Sequence, residues 1–129
     1  MKEPEFLNVD DVMQLHARSL ELFGGIEGIR DLGLLESAVA APQASFGGEL
    51  VYRDLFEMAA AYAFHIAQNQ PFLDGNKRSG LGAALAFIWL NGIDIEDPEQ
   101  RLYDAMIALA ERRMDKAGLA KLFRTLSGS

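Results

Sequence analysis

The stretch "RDLFEMAAAYAFHIAQNQPFLDGNKRSGLGAALAFIWLNG", residues 53–92, decides the fold. Its first part places Leu55, Phe56, Met58, Ala59, Ala60, Tyr62, Ala63, Phe64, Ile66 and Ala67 on nearly every face of a helix. Its last part, "LGAALAFIWLNG", is again apolar all round and ends on Asn91-Gly92, a helix stop. Helices apolar on all sides belong at the centre of an assembly, and small residues let them approach closely. The spacing predicts two buried, antiparallel helices over about 53–69 and 76–91. Between them, an acid, a glycine, an amide and two cations stand side by side from Asp74 to Arg78.

The flanks extend the helical pattern. Upstream, Asn8 can cap a first helix with Asp11 in its first turn, directing Val9, Val12, Leu15 and Leu22 inward until Gly24-Gly25 stops it. A second helix, "DLGLLESAVAA", halts before Pro42. "PQASFGGEL" then reads as an irregular or hairpin-like flap, because its glycines break helix while Phe46, Leu50, Val51 and Tyr52 tolerate extended backbone. Downstream, Asp97-Pro98 offers a cap with proline at the first helical position of "PEQRLYDAMIALAERRM", and Asp115 caps "KAGLAKLFRTL". The expected class is all-α, a compact bundle of about six helices forming one domain over residues 1–129.

Composition narrows the function. With 129 residues the chain can bury a core unaided, and the absence of cysteine removes disulfide frameworks and thiol catalysis. A net charge of −7, from 19 acidic and 12 basic residues, disfavours direct nucleic-acid binding. No stretch approaches the roughly 18 uninterrupted apolar residues of a membrane span, and no signal-peptide core opens the chain. The expectation is a soluble, cytoplasmic protein.

Asp74 falls at or beside the cap of the second central helix, with Gly75, Asn76 and Lys77 in its first turn. Free amides at a helix start, a glycine for close approach and cations alongside make an anion site suited to phosphate. One carboxylate matches magnesium, which takes one or two protein carboxylates and fills its shell from water and phosphate. Singly, each residue has a plainer reading: Asp74 as a cap, Gly75 as a turn residue, Arg78 as a solvated side chain. Together, four polar side chains between two buried helices point to a cleft. His16 and His65 read as packing histidines.

"PFLDGNKR" resembles the signature of the Fic and Doc proteins, and "FGGIEGIRDLGLLESAVAAP" and Asn91-Gly92 resemble flanking segments of the Doc (death-on-curing) branch. That family transfers part of a nucleoside triphosphate to a hydroxyl of a target protein. The resemblance implies ATP and Mg2+ as ligands, with Asp74 on the metal, Gly75, Asn76, Lys77 and Arg78 on phosphate, and Arg78 neutralising charge during transfer. It also implies a flap that positions the target, a small antitoxin as partner, and a bacterial translation factor as target. Lys77 is the residue of Doc-like members, which transfer the terminal phosphate, while Gly75 is usual in the AMP-transferring branch. Where the family has a histidine to take the proton from the attacking hydroxyl, this chain has Gln70, and a carboxamide has no accessible pKa. The expectation is a Doc-like phosphotransferase weakened at position 70. The alternatives are a nucleotide- or protein-binding pseudoenzyme and an AMP transferase.

Overall fold

The computed structural model describes residues 3–128. In chain order it has α1 (Val9–Phe23), α2 (Leu32–Ala40) running into a 3-10 turn (Ala41–Gln43), and a hairpin of β1 (Ser45–Phe46) and β2 (Glu49–Leu50). These are followed by α3 (Leu55–Asn69), α4 (Asn76–Leu90), α5 (Arg101–Ala110) and α6 (Lys116–Leu126). The architecture is the expected all-α bundle with a small flap.

Helix α3 is the axis. Nine of its residues are buried, among them Tyr62 and Ile66, and it packs against α4, α6 and α2. Its tightest neighbour is α4, where a Cβ on Gly80 would stand 2.9 Å from the Ala63 carbonyl oxygen. Phe87 of α4 fills the space beside Tyr62 at 5.2 Å between ring centroids, with Phe6 stacked on its other side at 5.6 Å. The burial of α4 is one-sided, however. Ser79, Gly80, Ala83, Ala84, Phe87 and Ile88 face the core, while Trp89 is 70% exposed. Its apolar circumference therefore overstates its burial, because no helix covers that outer stripe among the described residues.

Helix starts follow the chemistry of the sequence in most places. Asn8 and Asp11 form a reciprocal capping box on α1, each side chain accepting the other residue's amide at 2.8 Å. Asp31, Asp54 and Asp115 cap α2, α3 and α6. Two expectations are corrected. Leu22 does not point inward: it is 60% exposed, since the last turn of α1 runs past the core. The helix after Pro98 starts at Arg101, and Asp97 caps it across an intervening turn, accepting from the Arg101 and Leu102 amides at 2.8 Å each. The flap is a two-stranded antiparallel hairpin whose turn residues, Gly47 and Gly48, have φ of 60° and 83°. Those angles suit a tight primed turn and favour glycine. No described helix is long and apolar enough to cross a membrane.

Candidate active site

The loop between α3 and α4 is held from below by the segment joining α1 to α2. Ile29 and Phe72 form an antiparallel bridge, the Leu73 amide donates to the Gly28 carbonyl (3.0 Å), and the Arg30 and Asp31 amides both donate to the Pro71 carbonyl (2.7 and 3.1 Å). Gly28, at φ 139°, is needed for this closeness, since a Cβ there would meet Leu73 at 2.7 Å. Asn76 closes the loop on itself: its side chain accepts from the Phe72 amide and donates to the Phe72 carbonyl, both at 3.0 Å. Its carboxamide is thus committed to the loop, which leaves its backbone amide as the group it could offer an anion.

That amide belongs to an open helix end. The residue at the cap of α4 is Gly75, at φ 77°, rather than Asp74, and no side chain caps the helix. The amides of Asn76, Lys77 and Arg78 have no acceptor among the described residues, whereas a carboxylate or amide side chain caps each of the other five helices. Asp74 stands one residue before, exposed, its Oδ1 accepting from the Gly75 amide (2.8 Å) and its Oδ2 from the Ile26 amide (3.1 Å). Lys77 and Arg78 are exposed, and neither lies within ion-pair distance of a described carboxylate. The Arg78 guanidinium rests over the Phe23 ring at 4.7 Å. Three orphan donors, and two cations without an ion-pair partner among the described residues, stand beside one acid, groups that could hold an anion carrying a hard cation. No group of three or more potential ligands could cage a metal among the described residues. Asp74 fits magnesium as a lone carboxylate that needs phosphate oxygens and water to complete the shell.

Beside this helix end, a cleft of about 230 Å3 is lined by Asp74 to Arg78, Leu81, Tyr103, Met106 and Ile107. Tyr103, on α5, is 64% exposed and has neither a hydrogen bond nor a ring partner among the described residues. A larger hollow of about 630 Å3, near Phe64, Gln68 and Met114, has Asp115 as its acid, but that carboxylate caps α6 by accepting from the Gly118 amide at 2.8 Å.

Position 70 ends α3. Gln70 is exposed, in the left-handed region at φ 48° and ψ 57°, and its carboxamide has no hydrogen-bond partner among the described residues. Its backbone carbonyl accepts from Arg30 Nε at 2.7 Å. Both histidines pack. His16 is buried beneath the loop, stacked on Phe72 with centroids 3.7 Å apart and with Nδ1 2.7 Å from Ser79 Oγ, while Nε2 has no hydrogen-bond partner among the described residues. Burial lowers its pKa below 6.5, partly offset by the Asp74 and Glu27 carboxylates. His65 is half-buried with Lys116 Nζ 3.3 Å from Nε2, and burial followed by that ammonium lowers its pKa too.

These shifts set a pH response. Below pH 6.5 the unfolded chain takes up protons that the native imidazoles resist, so stability is complete above that pH and declines as pH falls through it. The melting temperature should fall between pH 7.5 and 5.5, and His16→Gln should flatten that fall. An unchanged slope in the variant would show that His16 does not contribute to it.

A protein-family model described as the Fic/DOC family matches residues 6–88. The chain belongs to the Fic/DOC family. Among Fic/DOC relatives, a protein named Toxin Doc from Mycolicibacterium smegmatis is 39% identical over 118 residues, covering 90% of this chain and 88% of its own. A protein named Protein kinase doc from Escherichia phage P1 is 31% identical over 123 residues, covering 95% and 96%.

Asp74, Gly75, Asn76, Lys77 and Arg78 line one cleft, and two residues to which the sequence does not point, Tyr103 and Arg30, lie in that cleft and against the loop leading into it. Tyr103 lies far along the chain and carried no signal. Arg30 lies in "GGIEGIRD", whose glycines mark close backbone approach, but nothing in that string states what approaches.

Proposed function

We propose that this Fic/DOC protein is a Doc-like toxin of a toxin–antitoxin system, built to transfer the terminal phosphate of ATP to a hydroxyl of a bacterial target protein. The observation that carries this reading is the open start of α4, where among the described residues the Asn76, Lys77 and Arg78 amides have no acceptor and the Lys77 and Arg78 side chains make no ion pair. In the reaction the target oxygen bonds to the γ-phosphorus, the bond to ADP breaks, and the hydroxyl proton must leave. The α4 amides orient the phosphate chain, Arg78 offsets charge on the transferring group, and Lys77 favours terminal-phosphate over AMP transfer. Magnesium, when bound, neutralises phosphate charge beside Asp74. The side chain at position 70 is where the family's histidine would accept the proton; Gln70 can position the hydroxyl but cannot take its proton. The copy described is therefore weak in transfer.

A base can lie in the cleft against Tyr103, since an exposed ring beside a phosphate site offers a stacking face. The apolar rim of Phe23, Ile26 and Leu73 around the loop, all exposed, supports docking of an antitoxin segment. Gln70 itself favours a second reading, a pseudoenzyme that holds nucleotide or partner without turnover.

Calorimetry separates the parts. The chain with Gln70 should bind ATP with magnesium, and inorganic tripolyphosphate more weakly. Tyr103→Ala should weaken ATP by roughly 1–3 kcal/mol and leave tripolyphosphate unchanged. Arg78→Ala should weaken both by about 1.5–3 kcal/mol, and Asp74→Ala should remove the magnesium-dependent part. Absence of binding by either ligand at millimolar concentration would remove the nucleotide reading.

A further inference from the structure

Gln70 is held in a conformation that its local sequence resists. At φ 48° and ψ 57° it occupies the left-handed region, which costs a residue with a Cβ. The following Pro71 biases it toward extended backbone instead. Its carbonyl and that of Asn69 are gripped by one side chain: Arg30 Nε donates to the Gln70 carbonyl and Arg30 Nη2 to the Asn69 carbonyl, each at 2.7 Å. Those carbonyls belong to the two peptide planes on either side of the residue 70 α-carbon. A peptide unit is rigid, so fixing both planes fixes φ and ψ of residue 70, and with them the direction of its Cα–Cβ bond. The next plane is fixed as well, because the Arg30 and Asp31 amides donate to the Pro71 carbonyl. Lysine would not do this: the guanidinium is a planar fork with donors at set angles, whereas an ammonium is a point charge. The contacts lie at an exposed helix end, where water would satisfy the carbonyls equally well. What water cannot supply is their mutual orientation.

We propose that Arg30 is the positioning residue for the side chain at position 70, clamping the two flanking peptide planes so that this side chain keeps one direction on the loop that leads into α4. The catalytic half of the proposal rests on the phosphotransfer reading above; the conformational half does not.

A double-mutant cycle tests the conformational half in the chain as it stands. Glycine enters the left-handed region without the Cβ penalty, so Gln70→Gly removes the need for the clamp while leaving both carbonyls in place. Arg30→Ala should lower the melting temperature by about 3–6 °C beside Gln70. In the Gln70→Gly background it should cost less than half as much. Equal losses in both backgrounds would mean that Arg30 only caps α3, and the proposal would fall. The catalytic half is read with Gln70→His, where adding Arg30→Ala should lower kcat about 10- to 100-fold while leaving the Kd for ATP unchanged. An unchanged kcat, or a loss confined to Kd, would overturn that half. Should Gln70→His alone show no transfer, the phosphotransfer reading fails, and the cycle still decides whether Arg30 sets residue 70.

Discussion

Replacing Gln70 with histidine is expected to raise phosphate transfer to a protein target by roughly 10²–10⁴-fold, the usual contribution of a positioned general base. The comparison is made in a bacterial lysate with ATP labelled at either the γ- or the α-phosphate, so that the label reports which group moves. Everything else the step needs lies outside the change. The amides of Asn76 to Arg78, the Asp74 carboxylate and the Lys77 and Arg78 cations do not involve the side chain at 70, whose own hydrogen-bonding groups have no partner to lose among the described residues. The gain should therefore appear in kcat with little change in nucleotide affinity. It should fade as the pH drops below the imidazole range, near 6.5 when unperturbed, because a protonated ring cannot accept the proton. Position 70 is exposed, which favours a value near that figure. The γ-label should transfer, and Lys77→Gly in the same background should reduce it. The Gln70→His chain should also harm a bacterial host lacking an antitoxin. If neither label transfers and the host tolerates the variant, the chain is a binding protein and the α4 site serves retention alone.

How the loop, the flap and the helix ends became legible, and where they did not, follows from the range of the forces involved. Helix existence is readable because apolar spacing and side-chain caps act within a few residues, as at Asn8 and Asp115. The start of α5 was misread for the same reason. Asp97 next to Pro98 looks like a cap followed by a first helical residue, but the carboxylate reaches the Arg101 and Leu102 amides over a turn instead. Burial was overestimated for Leu22 and Trp89 because periodicity gives a helix its faces but not the number of neighbours that cover them. The chemistry of the Asp74 to Arg78 run was readable as composition. Two of its details were not: that Gly75 rather than Asp74 occupies the cap, and that the Asn76 side chain is committed to Phe72. Both depend on backbone angles in a loop shaped by the distant segment from Gly25 to Asp31, and single-chain spacing does not encode that contact. Arg30 and Tyr103 belong to the same class, brought to the site by packing between elements remote in sequence.

The approach of α4 to α3 bears directly on the site, and Gly80→Val is expected to disturb it. A Cβ at this position would lie 2.9 Å from the Ala63 carbonyl oxygen and 3.4 Å from its Cα, both backbone atoms that cannot rotate away. The helices must separate, at a cost of about 1–3 kcal/mol, against a few tenths recovered from replacing glycine inside a helix. Gly82 provides the contrast on the same helix, because a Cβ there meets nothing within 4 Å. Gly82→Ala should raise the melting temperature while Gly80→Val lowers it. The functional consequence follows from where the contact lies. Ala63 is two turns before Gln70 at the end of α3, and Gly80 one turn after the open amides that start α4. Widening the helices at this point moves the base position away from the phosphate position. In the Gln70→His background, Gly80→Val should therefore reduce kcat at a temperature where the protein is still fully folded, while tripolyphosphate, which needs only the α4 end, should bind as before. A Gly80→Val protein as stable as its parent, with undiminished turnover, would show that the close approach of the two helices is not what aligns the site.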